Sequence, residues 1–242
     1  MVERARCAWE YVLFYGLLSL FGLICLGWSL PAAILDLILP RRIGGPLSRF
    51  MIKTGFRTFI AAMRACGILR CDLSALDGLR DDAGLVICPN HPSLLDAVLV
   101  LSRLPSVVCI AKANVYDNLF LGSGARMAGY IRNDSPASLV KAAASEVRAG
   151  HQLLIFPEGT RTERPPVNTL KGGFALISKI AHAPVQTVLI ESNSRFLGKG
   201  WDFFRKPDFP LVYKVRLGQR FEPAADVRGF VRNLESHYRS EL

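Results

Sequence analysis

The sequence predicts an α/β fold, a mainly parallel or mixed sheet flanked by helices, with a membrane-embedded helical segment at the N-terminus. Two observations carry this. From about Gly84 onward, short apolar runs alternate with segments of helical periodicity, the pattern of strands packed between helices. Ahead of them, Tyr11 to Leu35 is a run of 25 residues without a charge, longer than a strand or an ordinary core helix requires. Half of the 242 residues are apolar and 21% are charged, which excludes disordered, collagen-like and low-complexity chains. The net charge is nevertheless +10, and its position along the chain matters.

In chain order, Tyr11–Leu30 would make a helix about 30 Å long, the thickness of a bilayer's hydrocarbon core. Trp9, Tyr11, Tyr15 and Trp28 stand near its ends, where amphipathic rings settle. The run exceeds the roughly 7–15 residues of a signal-peptide core. Pro31 is expected to end or kink the helix, with a second apolar stretch, Ala32–Leu39, beyond it. Between Arg41 and Cys71 stand seven basic residues and no acid, so the rest of the chain carries only +3 of the +10. Arg49, Lys53 and Arg57 recur every four residues and predict one basic side of a helix, with Phe50, Phe56, Phe59, Ile60 and Met63 filling much of the remainder. Such a helix suits an anionic lipid surface; the alternative is a solvated basic face on an ordinary helix. The basic excess after the apolar run, against Arg4 and Arg6 before it, places the main body on the cytoplasmic side of the inner membrane. Residues 1–71 are thus expected to be a membrane segment with a basic helix, and residues 72–242 an α/β domain.

Within that domain the expected strands are Gly84–Cys88, Val107–Ala111, Gln152–Phe156, Val185–Glu191 and Leu211–Leu217. The expected helices are Pro92–Arg103, Val115–Ala128, Ser135–Ala149, Gly172–Ala181 and Ala225–Arg239. Arg161–Asn168, with two adjacent prolines, reads as an exposed loop. The six cysteines make no Cys-x-x-Cys and the four histidines are far apart, so no metal site is expected and the thiols suit a reducing compartment.

Chemistry-bearing residues follow the strands. After the first comes Asn90-His91-Pro92-Ser93-Leu94-Leu95-Asp96. Pro92 suits the first position of a helix, which would leave His91 at the helix mouth with Asp96 a turn inside. Asp96 could hold one ring nitrogen and leave the other as a general base; alone, such a pair is also what a capping histidine looks like. Phe156-Pro157-Glu158-Gly159-Thr160-Arg161 offers backbone donors, a hydroxyl and a guanidinium for an anion. Gly129-Tyr130-Ile131-Arg132 places another arginine at a strand end. Ser93, two residues past His91, is read as a helix cap.

The order and spacing of these three strings together resemble the glycerolipid (lysophospholipid) acyltransferase family, in particular its bacterial 1-acyl-sn-glycerol-3-phosphate acyltransferases. The resemblance covers roughly Gly84 to Glu191 and extends to the anchoring front. Lys112 and Lys171 match basic positions of that family, and a fourth family block appears as Ala183-Pro184-Val185-Gln186-Thr187-Val188, with Thr187 where a second proline is usual. The resemblance implies acyl transfer from a thioester on coenzyme A or acyl carrier protein, a co-substrate with no further cofactor, to the hydroxyl of a lysophospholipid in the membrane. It implies His91 as general base and Asp96 as its orienting partner. Arg132, Glu158, Gly159, Thr160 and Arg161 would form the acceptor's phosphate site, with Glu158 holding arginines or a lysine in place. Within the family, a lyso-ornithine lipid or a polyene chain are alternative substrates. A serine hydrolase is disfavoured by the lack of a Gly-x-Ser-x-Gly elbow. Nucleic-acid binding is disfavoured because seven of the ten net charges sit beside the apolar run. An inactive scaffold is disfavoured by the presence of His91, Asp96, Glu158 and Arg161.

Overall fold

The computed structural model describes residues 2–242. The expected α/β class is found: strands β1 (Leu69–Asp72), β2 (Val86–Pro89), β3 (Val107–Lys112), β4 (Ile131–Asn133), β5 (Gln152–Leu154), β6 (Val185–Ser192) and β7 (Leu211–Phe221) form one sheet. Their spatial order is β1-β7-β6-β2-β5-β3-β4. Only β6 and β7 pair antiparallel; the other pairs are parallel. Central parallel strands are covered on both faces, so Leu85–Cys88 reads as an unbroken apolar run. Thr187, at the irregularity between Gln186 and Val188, donates its hydroxyl to the Gln219 carbonyl at 2.8 Å, a bond proline could not make.

Eight α-helices accompany the sheet among the described residues: α1 (Val2–Ile38), α2 (Arg41–Ala65), α3 (Leu95–Leu101), α4 (Ala113–Tyr116), α5 (Gly122–Met127), α6 (Pro136–Arg148), α7 (Gly173–Ala181) and α8 (Val227–Glu241). On one face, Ile87, Val188 and Ile190 pack with Phe59, Ile60 and Met63 of α2 and Leu99 of α3. On the other, Val86, Cys88 and Leu189 pack with Ala143, Phe174, Phe230 and Tyr238 of α6, α7 and α8. Tyr238 also donates its hydroxyl to the Cys88 carbonyl, fixing α8 to the strand that leads into the site.

α1 is long and apolar enough to cross a membrane by length and composition, yet one side of it lies along the α/β domain. Phe14 and Leu17 are buried with Phe59 and Phe196, Phe21 stacks on Phe56, and Trp28 Nε1 donates to Ser48 Oγ at 3.1 Å. Ser29 Oγ donates to the Phe120 carbonyl at 2.7 Å. The contacts from residue 14 to residue 29 cover about 22 Å of helix. The opposite side exposes Val12, Leu23, Leu30, Ile34 and Leu37.

Three expectations are corrected. Pro31 does not end the front segment, since α1 continues to Ile38; the residue four positions earlier is Gly27, and Ser29 and Ala32 are both buried, so packing holds the chain helical on either side of the proline. The basic side of α2 is incomplete: Arg49 is buried and donates to the Ala128 carbonyl at 2.9 Å, which leaves Lys53 and Arg57 of that row outward. Residue 71 lies within β1, which pairs with β7. Val115–Ala128 is two short helices, because Asn118 Oδ1 accepts from the Phe120 and Leu121 N–H groups and turns the chain between them.

Candidate active site

β2, β5, β3 and β4 run parallel, so their carboxyl ends share one edge of the sheet, where open α/β sheets place their ligands. At that edge the expected helix Pro92–Arg103 begins later, at Leu95. The reason is a reciprocal cap. Ser93 Oγ accepts from the Leu95 N–H at 3.1 Å, and Asp96 Oδ2 accepts from the Ser93 N–H at 2.7 Å, a Ser-x-x-Asp box that starts the helix beyond Pro92. His91 therefore lies in an irregular segment before α3, and its ring folds back to Asp96, Nδ1 standing 3.1 Å from Oδ2.

His91 is held on every side but one. Its N–H donates to Glu158 Oε1 at 2.9 Å, and its carbonyl accepts from the Thr162 N–H at 2.7 Å. Its ring stacks on Phe156 with centroids 3.7 Å apart and planes at 19°. Among the described residues Nε2 makes no hydrogen bond, and the side chain is 13% exposed. An ionised carboxylate can only accept, so Asp96 fixes the proton on Nδ1 and leaves Nε2 basic.

Asp96 is fully buried and its Oδ1 has no hydrogen-bond partner. Burial pushes its carboxyl up to about 6, against the opposing pull of His91 and the Ser93 N–H. A folded pKa above the ordinary 3.8 means that the neutral acid favours folding. That contribution is fully present below the unfolded pKa and is lost as pH rises through about 6. The form of Asp96 that can orient His91 is the carboxylate, so activity is expected to rise through the same pH. Asp96→Asn is accordingly expected to leave the melting temperature at neutral pH unchanged or raised, while turnover falls on the order of 10²–10⁴-fold. Thermal scans beside rate measurements check this; an active variant would contradict it.

The second expected string folds over the first. Pro157 and Glu158 form a turn closed by the Gly159 N–H donating to the Phe156 carbonyl at 3.0 Å. Gly159 has φ +68°, so Gly159→Ala should cost about 1–2 kcal/mol in urea unfolding. Lys171 lies against Gly159 and donates its N–H to the Pro157 carbonyl at 2.8 Å. Glu158 is the correction here. It is buried and forms no ion pair with an arginine or lysine among the described residues; it accepts from the His91 N–H, from Thr162 Oγ1 and from the Asn168 N–H. Its charge is satisfied by three donors from two loops, so it ties the Phe156–Asn168 loop to the histidine.

Not every expected residue converges. Gly159, Thr160 and Lys171 line the turn beside His91, and Lys199 Nζ reaches Thr160 Oγ1 at 3.5 Å. Arg161 is partly committed, donating Nη1 to the Leu197 and Gly198 carbonyls, each at 2.8 Å. Lys112 is exposed at the end of β3. Arg132, on edge strand β4, is paired with Asp134 and Asp117 and lies over Tyr116. Three strand spacings separate its strand from β2, about 14 Å. Ser93 is buried and donates to the Phe196 carbonyl at 2.8 Å, which takes it out of reach as a nucleophile and confirms its structural reading.

Sequence reasoning missed four contributors. Phe156 was in the quoted motif, but its stacking on the imidazole has no signature in spacing. Asn90 was there too; its side chain brackets Ile190, donating to its carbonyl at 2.9 Å and accepting from its N–H at 2.7 Å. Asn168 and the Ser194–Gly198 stretch come from distant loops and carry no local signal.

A parallel-edged sheet bearing a buried carboxylate, an oriented histidine and a basic turn, with the adjacent Ser93 committed to the Phe196 carbonyl, is the arrangement of an α/β acyltransferase. The chain belongs to the acyltransferase family, whose sequence profile matches residues 70–191. It is 28% identical over 229 residues to human 1-acyl-sn-glycerol-3-phosphate acyltransferase beta, spanning 90% of this chain and 79% of that one. It is 30% identical over 132 residues to the Limnanthes douglasii 1-acyl-sn-glycerol-3-phosphate acyltransferase, 52% of this chain and 46% of the plant protein. The crystal structure of the 1-acyl-sn-glycerophosphate (LPA) acyltransferase PlsC from Thermotoga maritima superposes with a TM-score of 0.67, at 18% identity, over 98% of this chain and 95% of the other. That likeness establishes the fold.

Proposed function

We propose that this acyltransferase transfers an acyl chain from a thioester, on coenzyme A or acyl carrier protein, to the free hydroxyl of 1-acylglycerol-3-phosphate, giving phosphatidic acid. The observation that carries the reading is the His91–Asp96 pair with Nε2 left unbonded beside the Gly159–Lys171 turn. His91 Nε2 takes the hydroxyl proton as the oxygen attacks the thioester carbonyl. The C–S bond then breaks, and the imidazolium returns the proton to the departing thiolate. Asp96 keeps the ring oriented and stabilises its charge. Gly159, Thr160, Lys171 and the free part of Arg161 are the proposed phosphate contacts, with Lys199 added to them; Arg132 and Lys112 stand further along the edge and serve a longer-range attraction. The activity named for the human and plant relatives supports this acceptor.

The apolar outward side of α1 supports a membrane location, with the helix lying along the surface because its other side is packed on the domain. The acceptor and product would then stay in the bilayer while a soluble thioester reaches the sheet edge. The test is to offer the purified protein lysolipids with and without a phosphate, each with coenzyme A and acyl carrier protein thioesters, and to identify products by mass. A diacyl product confined to phosphate-bearing acceptors is expected; equal use of phosphate-free acceptors would overturn the phosphate assignment.

A further inference from the structure

The chain between β6 and β7 holds an arrangement that acyl transfer does not require. Its first part is bound to the catalytic segment: the Phe196 carbonyl accepts from Ser93, the Leu197 carbonyl from the Leu94 N–H at 3.2 Å, and the Leu197 and Gly198 carbonyls from Arg161. Its tip, Trp201–Arg205, turns instead toward the N-terminal third of α1. There Phe203 is 48% and Phe204 64% exposed, next to exposed Tyr11, Val12 and Tyr15.

Exposed aromatic rings alone would mean little, but the backbone of Phe204 and Arg205 is bonded within the protein. Phe204 N–H donates to Asp202 Oδ1 at 3.1 Å and its carbonyl accepts from the Tyr15 hydroxyl at 3.2 Å. Arg205 N–H donates to the Asp202 carbonyl at 3.0 Å, and its carbonyl accepts from Trp201 Nε1 at 3.0 Å. Both backbone polar groups of Phe204 and of Arg205 are thus satisfied without water, which lowers the cost of bringing this part of the loop against lipid. Two nearby cations are also partnered: Lys206 pairs with Glu10 at 2.9 Å and covers the Tyr11 ring, and the Arg205 guanidinium lies over Trp201, while Asp202 stays exposed.

We infer that the β6–β7 tip is a second membrane contact, with Phe203 and Phe204 entering the boundary between headgroups and acyl chains of a phospholipid bilayer. The inference rests on the membrane location proposed for α1 and is continuous with that helix's exposed side through the Tyr15 and Lys206 contacts. One loop then has its tip in lipid and its stem on the segment carrying His91, which sets the height of the sheet edge above the bilayer.

The test uses the full-length protein carried from detergent into vesicles of equal parts phosphatidylcholine and phosphatidylglycerol. The exposed thiols Cys7 and Cys66 are changed to Ser, and an environment-sensitive fluorophore is placed by Phe204→Cys, by Leu23→Cys on α1, or by Ser138→Cys on exposed α6. The expected result is quenching by a lipid-borne quencher at 204 and 23 and none at 138. Quenching at 23 alone would overturn the inference and leave the membrane location standing; quenching at neither would overturn both. A fluorophore at 204 shielded in vesicles but unquenched would mean a protein partner, such as a second copy, and would also overturn it. In a second arm, Phe203→Ser with Phe204→Ser should weaken vesicle partitioning about tenfold and leave turnover of a water-soluble short-chain acceptor unchanged. Equal loss on both acceptors would assign the phenylalanines to folding and overturn the inference.

Discussion

Replacing His91 with alanine is expected to lower turnover by on the order of 10²–10⁴-fold, the usual contribution of a positioned general base. The ring's other contacts are a stack on Phe156 and one hydrogen bond to Asp96, while the backbone bonds to Glu158 and Thr162 survive the substitution. The fold should therefore persist, and vesicle association, proposed for α1 and the β6–β7 tip, should not change. The removed ring leaves Asp96 buried without its partner, so the carboxyl should titrate even higher. Steady-state rates on the variant, beside its circular dichroism and vesicle partitioning, check all three. A variant with full activity would remove histidine from the chemistry.

Glu158→Ala is expected to be nearly as severe by a different route. It strips the acceptor from the His91 N–H, the Thr162 hydroxyl and the Asn168 N–H at once. Each partly buried donor left unpaired costs about 1–3 kcal/mol, so urea unfolding should show a loss of about 3 kcal/mol or more, and turnover should fall as the histidine segment loosens. Glu158→Gln keeps one acceptor oxygen and should lie between the two. Had Glu158 served to hold arginines for the acceptor phosphate, alanine would raise the Michaelis constant and leave stability nearly intact. The two outcomes are separable in one pair of experiments.

How far the sequence foretold this follows from how local each determinant is. Central strands such as Leu85–Cys88 were legible because burial on both faces leaves an unbroken apolar run. The His91–Asp96 pair was legible because both residues lie in one seven-residue string, although the sequence placed the helix start at Pro92 and the Ser93–Asp96 box moves it to Leu95. Short β1 and β4, with four and three residues, escaped the list of strands because their pairing partners, not their own patterns, make them strands. Glu158's role was misjudged for a similar reason: a carboxylate beside Thr-Arg reads as a partner for basic groups, and only the fold brings Asn168 and the His91 backbone to it. Arg49 shows the same limit, since a fourfold repeat of basic residues cannot reveal that one of them is turned inward onto Ala128.

The most direct test of the central claim, acyl transfer by an oriented base without an acyl-enzyme, follows two quantities in one mixture. Purified protein receives an isotope-labelled acyl thioester, with or without 1-acylglycerol-3-phosphate, and thiol release and labelled lipid are measured together. The account predicts one diacyl product for each thiol released, no release without acceptor, and neither in His91→Ala. Thiol release at a similar rate without acceptor, or label bound covalently to the protein, would contradict it.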